Sequence, residues 1–432
     1  MARELVDSGC KYLGMIPSTW KVNKFKYYLL RRDKKNMGDC EVLSLYREYG
    51  IVIKNSRDDN HNVTSEDTSK YKYVRINDFV VNKMKAWQGS VAVSDYEGIV
   101  SPAYYVYEFI DNSFIPKYFH YLLRSAYKNE FRRLSGGIRE GQWDLSTNAL
   151  ENIMVLLPSL PEQQIIANFL DDKCAEIDTL IVDIQREIDK LERLKRSMIA
   201  EAVTKGLDKN VELIESGVTW IGKIPRDWDI MAFRFILNER NEKNIPIKTD
   251  ERLSLSIDIG ITLYAEKTTN LDRFKEDVSQ YKIAHIGDLV LNSMNVIVGA
   301  EGVSKYFGCI SPAYYTYYDN DENHYDARFC DYVFKCKRLR NLLFTLGKGI
   351  MAIERGDGRV NTCRLKVSRD DIGHLKFPFP SKEERIQIVD YLDARCAEFD
   401  TILSEKQKQI EILQKLKRSV IYEYVTGKKE VK

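Results

Sequence analysis

The chain of 432 residues is 44% hydrophobic and 30% charged, a composition that is typical of a globular protein and excludes a disordered one. It contains no run of 18 uncharged apolar residues and begins with a charged segment, so we expect neither a membrane span nor a signal peptide, and we predict a cytoplasmic protein. The net charge of +2 excludes a strongly basic chain but leaves room for a local basic surface that acidic regions balance.

The chain contains two copies of one sequence in the same order. A Gly-x-Ile-Pro-x-x-Trp motif ends at Trp20 and recurs at Trp228, and a Ser-Pro-Ala-Tyr-Tyr segment begins at Ser101 and recurs at Ser311. A repeat of more than about 200 residues is far longer than the unit of a solenoid. Each copy is therefore predicted to be a module of its own.

Each copy is predicted to begin with a mixed α/β head, the first over residues 1–157 and the second over residues 207–379. Short runs of Tyr, Phe, Val and Ile that are bounded by Gly, Asp, Asn and Ser predict many strands. A few helices are predicted in the heads, over Ile115 to Arg133 and Ala327 to Thr345. The tyrosines of Ser-Pro-Ala-Tyr-Tyr alternate as in a strand and are predicted to fill the core.

A long helix is predicted after each head, over residues 158–206 and 380–428. The Ser-x-x-Glu sequences at Ser159 and Ser381 fit a capping box, in which Ser accepts from a backbone N–H and Glu binds the N–H of the cap residue. Thr-Lys-Gly and Thr-Gly end the two helices. Apolar residues recur at steps of four and three, as in a coiled-coil seam. The predicted seam residues are Ile177, Ile181, Ile184, Ile188, Leu191, Leu403, Ile410 and Leu413.

The two helices are predicted to pair with each other, because one amphipathic helix cannot bury its own apolar stripe. The linker from Gly206 to Glu215 is short, which favours an antiparallel coiled coil with a head at each end and pseudo-two-fold symmetry. Lys406 interrupts the seam where it faces Ile184. It either fixes the register or, as we favour, packs its stem while its charge reaches water.

The two copies resemble the specificity subunit of type I restriction-modification systems. The resemblance rests on the opening Trp motif, Ser-Pro-Ala-Tyr-Tyr, the Leu-Pro-x-x-x-Glu-Gln helix start that ends at Gln163, and Leu-Lys-Arg-Ser followed by Val-Thr, and it covers nearly the whole chain. It implies an α+β fold of two tandem mixed α/β target recognition domains, each followed by a long helix of the antiparallel coiled coil. The second copy departs from the helix-start motif at Phe379, Arg385 and Ile386.

The same resemblance implies the partners. Each head would recognise one half-site of a bipartite asymmetric target in double-stranded DNA, and the helices would set the spacer and dock two methyltransferase (M) subunits. Restriction (R) subunits would complete the complex, and no membrane is involved. No cofactor is expected in this chain, because S-adenosylmethionine, ATP and Mg are expected in the partner subunits.

The sequence itself shows no catalytic machinery. Ser-Pro-Ala-Tyr lacks the second proline of an amino-methyltransferase loop, the Gly-x-Gly pairs do not follow predicted strands, and no Walker A sequence is present. The five histidines occupy no equivalent positions in the two copies, and the eight cysteines contain no Cys-x-x-Cys pair. We therefore predict a non-catalytic subunit without a metal site and with reduced thiols.

Two loop segments of each head are rich in side chains that can bind phosphates or base edges. One follows Asn82 and Asn292, and the other follows the head helices, where the second copy carries extra residues between Gly347 and Asp371. The alternative is solvated loops in which Trp87 packs locally. The candidate DNA-binding residues are Lys83, Lys85, Trp87, Gln88, Arg139, Gln142, Asn292, Asn295, Lys348, Arg355 and Arg359.

Two other functions stay open. The chain could be the recognition subunit of a type II-like fused nuclease-methyltransferase, which only the partner's sequence would distinguish. It could instead be a structural tether whose heads bind proteins. Affinity for DNA that falls steeply with salt would exclude the tether.

Overall fold

The computed structural model describes residues 3–35, 40–47, 49–56, 67–137, 143–257, 259–267, 277–350 and 364–431. The chain forms two compact units. Unit 1 comprises Met1–Gln185 and Lys408–Lys432, and unit 2 comprises Arg186–Gln407. Each unit therefore groups one head with parts of both long helices. The predicted boundaries between heads and helices stay a prediction.

Unit 1 contains short antiparallel strands and three short helices before the first long helix. Its strands are β1 (Leu5–Asp7), β2 (Met15–Pro17), β3 (Lys21–Lys24), β4 (Leu29–Arg31), β5 (Leu43–Tyr46), β6 (Gly50–Ile53), β7 (Lys72–Val74), β8 (Phe79–Asn82), β9 (Val91–Val93), β10 (Gly98–Val100), β11 (Tyr104–Phe109), β12 (Ser135–Gly136), β13 (Asp144–Leu145) and β14 (Met154–Leu157). Its helices are α1 (Pro116–Ala126), α2 (Lys128–Leu134), α3 (Thr147–Glu151) and the first part of α4 (Leu160–Lys205).

Unit 2 repeats this order of elements. Its strands are β15 (Leu213–Glu215), β16 (Lys223–Pro225), β17 (Asp229–Ala232), β18 (Asn238–Arg240), β19 (Leu253–Ser256), β20 (Gly260–Leu263), β21 (Lys282–Ala284), β22 (Leu289–Asn292), β23 (Glu301–Val303), β24 (Gly308–Ile310), β25 (Tyr314–Tyr318), β26 (Lys348–Ile350), β27 (Arg364–Lys366) and β28 (Lys376–Phe379). Its helices are α5 (Tyr264–Lys267), α6 (Tyr325–Phe334), α7 (Lys337–Leu346), α8 (Arg369–Gly373) and the first part of α9 (Lys382–Val425).

The central sheet of unit 1 has the antiparallel order β4-β11-β8-β9 and is covered on both faces. Phe79 and Val81 of β8 belong to the core that α1 covers, whereas Val80 between them packs with Leu43 and Ile51 of the β5–β6 hairpin. This alternation follows because successive side chains of a strand point to opposite faces. The sheet of unit 2 has the equivalent order β18-β25-β22-β23.

The tyrosines of Ser-Pro-Ala-Tyr-Tyr, and a further tyrosine two residues after the motif, lie in one of the two central strands of each sheet. Tyr105 and Tyr107 of β11 are buried in the core of unit 1, and Tyr315 and Tyr317 of β25 are buried in the core of unit 2. The prediction that the motif's tyrosines fill the core is confirmed for Tyr105 and Tyr315, whereas Tyr104 and Tyr314 are half-buried.

The two segments that are predicted to be helical, Ile115 to Arg133 and Ala327 to Thr345, are each divided into two helices. Tyr127 separates α1 from α2 with φ −105° and ψ −1°, and Cys336 precedes α7 in an extended conformation. Tyr127 and Cys336 are both buried. The break lets both halves of each pair place apolar side chains in the core, which a straight helix of that length could not do.

The long helices α4 and α9 pair antiparallel within each unit. In unit 1, Phe169 of α4 stacks on Tyr424 of α9 with ring centroids 4.4 Å apart, and Asp178 pairs with Lys417 at 2.6 Å. Residue numbers thus increase along α4 in the direction in which they decrease along α9, so the two helices are antiparallel. The predicted seam residues are all buried or half-buried: Ile177, Ile181, Ile184, Ile188, Leu191, Leu403, Ile410 and Leu413. None of the helices in the described ranges has the length and apolar content to cross a membrane.

Candidate nucleic-acid interface

The two loop segments that the sequence singles out meet in unit 1. The backbone N–H of Leu145 in β13 donates to the carbonyl of Lys83 at 3.0 Å, and Lys83 Nζ pairs with Asp144 Oδ2, also at 3.0 Å. The rings of Trp87 and Trp143 pack with their centroids 5.5 Å apart. The loop after β8 and the β12–β13 hairpin therefore form one continuous surface.

The equivalent segments meet in the same way in unit 2. The N–H of Val367, just after β27, donates to the carbonyl of Ser293 at 3.0 Å. Ser293 is buried, and its hydroxyl donates to the carbonyl of Ala313 at 3.0 Å. The hairpin strands β26 and β27 are joined by residues 351–363, whereas residues 137–143 join β12 and β13. The extra residues of the second copy therefore lengthen the hairpin that borders the loop.

A buried asparagine shapes the loop in both heads. Asn82 Oδ1 accepts from the N–H of Met84 at 3.2 Å, and Asn292 Oδ1 accepts from the N–H of Met294 at 3.1 Å. Each loop then makes one 3-10 turn that ends at Gly89 or Gly299, which have φ of 93° and 97°. Asn292 was selected as a DNA-binding candidate, and the structure gives it this local role.

The remaining candidates differ in how accessible they are. Lys85, Asn295 and Lys348 are exposed, and Gln88 is half-buried. Trp87 packs on Trp143 and donates from Nε1 to the carbonyl of Met84, which is the local packing that the alternative interpretation predicted. Contact with DNA stays a prediction for Lys83 and for all of these residues. Four candidates lie outside the described residues: Arg139, Gln142, Arg355 and Arg359.

The tryptophan of the opening motif connects each head to both long helices. Trp20 Nε1 donates to Glu162 Oε2 at 2.9 Å, and Trp228 Nε1 donates to Glu384 Oε2 at 2.8 Å. These glutamates stand at the starts of α4 and α9. The ring of Trp228 also lies beside Gly206, which ends α4 within unit 2. We name the Trp, the Glu and the terminal Gly of each unit the junction; in unit 1 the terminal residue is Gly427.

The junction corrects the capping-box prediction. Ser381 Oγ accepts from the N–H of Glu384 at 3.2 Å, as predicted. The carboxylate of Glu384 binds Trp228, and that of Glu162 binds Trp20 and Arg3, so neither binds the cap N–H among the hydrogen bonds of the described residues. A hydrogen bond from a buried indole N–H to a charged carboxylate contributes more to stability than a bond from the same carboxylate to a solvated backbone N–H at a helix end.

In the second copy the helix-start motif has Arg385 in the place of Gln163, and the partners of Arg385 all lie within unit 2. Gln163 is buried in unit 1, where its Nε2 donates to the carbonyl of Ser113 at 2.9 Å. Arg385 takes this position in unit 2 and donates from Nε to Asp326 Oδ1 at 2.7 Å. In both units the side chain also donates to the carbonyl of the proline five residues earlier. The substitution therefore exchanges one buried anchor for another.

Ion pairs cross between the long helices at equivalent positions of the repeat. Lys417 pairs with Asp178 in unit 1, and Lys195 pairs with Asp400 in unit 2, both at 2.6 Å. Lys406 Nζ lies 2.5 Å from Glu187 Oε2. The charge of Lys406 therefore reaches a partner at the surface while its stem lies in the seam.

A buried carboxylate lies next to the loop that follows β22 in unit 2. Glu301 opens β23, two residues after Gly299, and accepts from Arg340 Nη2 at 2.7 Å. Burial raises the pKa of Glu301 to about 7, although the charge of Arg340 acts to lower it. The equivalent residue of unit 1 is the apolar Val91.

The described residues contain no group of three His, Cys, Asp or Glu side chains that could hold a metal ion. Seven cysteines are described, and all are free thiols. Burial raises the pKa of the thiols of Cys174 and Cys396, which hold equivalent positions in α4 and α9.

Residues 34–190 match the family model for the type I restriction modification DNA specificity domain. Over these residues the chain is similar to type I restriction specificity subunits. The chain is 23% identical to the putative type I restriction enzyme MjaX specificity subunit of Methanocaldococcus jannaschii, over 97% of this chain and 96% of that protein. The MjaVIII specificity subunit of the same organism is 25% identical over 65% of this chain and 63% of its own length.

The fold of this chain agrees with a solved structure described as the structural basis of complex assembly and conformational transition of the type I R-M system. That chain superposes with a TM-score of 0.64 at 15% identity, covering 95% of this chain and 98% of the other. The predicted fold class is thereby confirmed.

Proposed function

We propose that this chain is the DNA specificity subunit of a type I restriction-modification complex, in which each head recognises one half-site of a bipartite asymmetric target. The observation that carries this proposal is the meeting of two loop segments in each head. One segment is shaped by a buried asparagine and exposes Lys85 or Asn295, and the other is a hairpin whose length differs between the units. One surface built twice with different side chains suits two different half-sites.

The helices are proposed to set the spacer and to dock two methyltransferase subunits. Both helices expose large apolar residues near the cross-helix ion pairs, among them Leu180 and Leu416 in unit 1 and Leu194 and Ile402 in unit 2. These four residues are equivalent in the repeat. Repeated apolar exposure on a helix pair is typical of a surface that a partner covers.

The chemistry is proposed to lie outside this chain. Methylation would use S-adenosylmethionine in the methyltransferase subunits, and ATP-dependent cleavage would use ATP and Mg in the restriction subunits. The complex would act in the cytoplasm, where its DNA substrate is. Within this chain the heads would supply only binding and positioning.

The test is to co-purify the full chain with its methyltransferase subunit and to sequence the methylated genome, which reports both half-sites and the spacer. Lys85→Ala should relax base preference in one half-site, and Asn295→Ala should relax it in the other. A good base contact contributes about 1–3 kcal/mol, which is roughly 5- to 150-fold in preference. Lys209→Ala, an exposed lysine of the linker, is the matched control and should leave the target unchanged.

Three results would contradict the proposal. The first is a methylome without a bipartite motif. The second is an unchanged target in both loop variants. The third is DNA affinity that does not fall with salt, which would favour the structural tether.

A further inference from the structure

A groove with a volume of about 1200 Å³ opens in unit 2 beside the loop that follows β22. Its walls are the last turns of α4, the β15–β16 hairpin, the start of α7 and the 3-10 turn of residues 296–298. All of these elements belong to unit 2. The groove is thus a feature of one head and the helix end that packs on it.

The lining of this groove is strongly basic. Its exposed cations come from three walls, and Glu201 is the one carboxylate among the described residues that line it. Within the described part of the chain, Arg193, Lys205, Lys337 and Arg338 form no ion pair. Arg196 and Lys223 have carboxylates only at 3.9 Å. We name this surface the basic groove; its exposed cations are Arg193, Arg196, Lys205, Lys223, Lys337 and Arg338.

The start of α7 adds to the positive potential of the basic groove. This ten-residue helix has no side-chain cap and no acidic residue in its first turn, where Lys337 and Arg338 stand instead. Cations at a helix N-terminus oppose the helix dipole, whereas an anion there is stabilised by it. An anionic ligand in the groove would relieve this repulsion.

The position of the basic groove favours DNA over other anions. Ile297 and Val298 line the groove, and they lie two and three residues after Asn295 in the loop that is proposed to reach base edges. A duplex whose bases contact that loop must carry its phosphates past the adjoining surface, because backbone and base edges lie within one groove width. A continuous polyanion also matches cations that are spread over three walls better than one small anion does.

The two heads differ at this place. In unit 1 the position of Lys223 is taken by Met15, and Thr426 is followed directly by Gly427, without the lysine that stands between Thr204 and Gly206 in unit 2. Resting on the proposed function, we propose that the basic groove holds the phosphate backbone of the DNA next to the half-site of the second head. Binding there positions the duplex without discriminating between sequences.

The test uses the full chain and two fluorescent duplexes, one with the target found by methylome sequencing and one with scrambled sequence. The variant Arg193→Ala/Lys223→Ala/Arg338→Ala removes one exposed cation from each of three walls. Each lost phosphate contact should make the negative slope of log K against log salt concentration shallower by about 0.9. The slope of the triple variant should therefore be shallower than that of the wild type by about 2.7. The ratio of affinities for target and scrambled duplex should not change.

The matched control is Lys243→Ala/Lys305→Ala, which removes exposed lysines of unit 2 outside the groove and should keep the wild-type slope. A triple variant with the wild-type slope would overturn the inference. So would a triple variant that loses affinity for the methyltransferase subunit while its DNA slope is unchanged, since the groove would then bind protein. Failure of the proposed function is distinct, because the wild-type chain would then show no preference for the target.

Discussion

Replacing the glycine that ends α9 should destabilise unit 1 far more than replacing a glycine of the same conformation elsewhere. Gly427 has a φ of 71°, and a Cβ built on it lies 2.4 Å from Cγ and 2.5 Å from Cδ of Pro17. Gly9 also has a φ of 71°, but a Cβ there meets no atom within 4 Å. An alanine would therefore be strained by its positive φ at both positions, but only at Gly427 would its Cβ also collide with the ring of Pro17.

The magnitudes follow from these two terms. A non-glycine residue in the left-handed region costs about 1–2 kcal/mol, which applies to Gly427→Ala and to Gly9→Ala. Overpacking against a rigid ring adds about 1–3 kcal/mol, and it applies to Gly427→Ala alone. We expect a loss of about 2–5 kcal/mol for Gly427→Ala and about 1–2 kcal/mol for Gly9→Ala.

Hydrogen exchange measured by mass spectrometry is the suitable assay, because a chain of two units does not unfold in one two-state step. Peptides that cover the end of α9 and the segment around Trp20 should exchange faster in Gly427→Ala. Peptides of unit 2 should not change. Equal protection of the unit 1 peptides in the two variants would refute the argument that Pro17 and the end of α9 are in rigid contact.

The other predictions concern charge and chain length. Because the pKa of Glu301 is about 7 in the folded chain and about 4.5 in the unfolded chain, the folded chain keeps a proton that the unfolded chain releases. The free energy of unfolding of unit 2 should therefore fall by up to about 3 kcal/mol as pH rises from 4.5 to 7. In Glu301→Gln, the stability measured by urea unfolding should change less between pH 5 and pH 8 than in the wild type, and an equal change would contradict this assignment. Asp178→Lys should cost less than about 1 kcal/mol, because the pair is exposed, and Lys417→Asp in the same chain should recover the loss; a double-mutant cycle with no coupling energy would show that the pair contributes nothing. Deleting residues 420–432 should increase proteolysis of the first head before that of the second, and equal cleavage of both heads would be the contrary result.

The periodic parts of the structure could be predicted from the sequence. The seam of α4 and α9 follows from spacing alone, since a stripe of Ile and Leu on a long helix must be buried. The buried tyrosines of β11 and β25 follow from alternation in a strand. These features depend on residues that are close in sequence, and the repeat supplied each of them twice.

The junction could not be predicted in the same way. Glu162 fits a capping box by its spacing, but its partner Trp20 lies far away in the sequence, and only the tertiary structure brings the two together. The breaks at Tyr127 and Cys336 likewise depend on what the core can accept. A signal was present, because a tryptophan and a glutamate recur in both copies, but recurrence alone does not identify the partners.

Unit 1 is discontinuous in the chain, and this has a consequence for folding during synthesis. Tyr118, deep in the first head, donates from its hydroxyl to the carbonyl of Val425, and Val425 is itself fully buried in that core. The ribosome makes most of the first head first, yet the segment that completes it is made after the whole of unit 2. Unit 2 is one continuous stretch and has all its residues before then. The second head can therefore finish folding before the first, whose apolar surface stays open to chaperones until the end of α9 has been made.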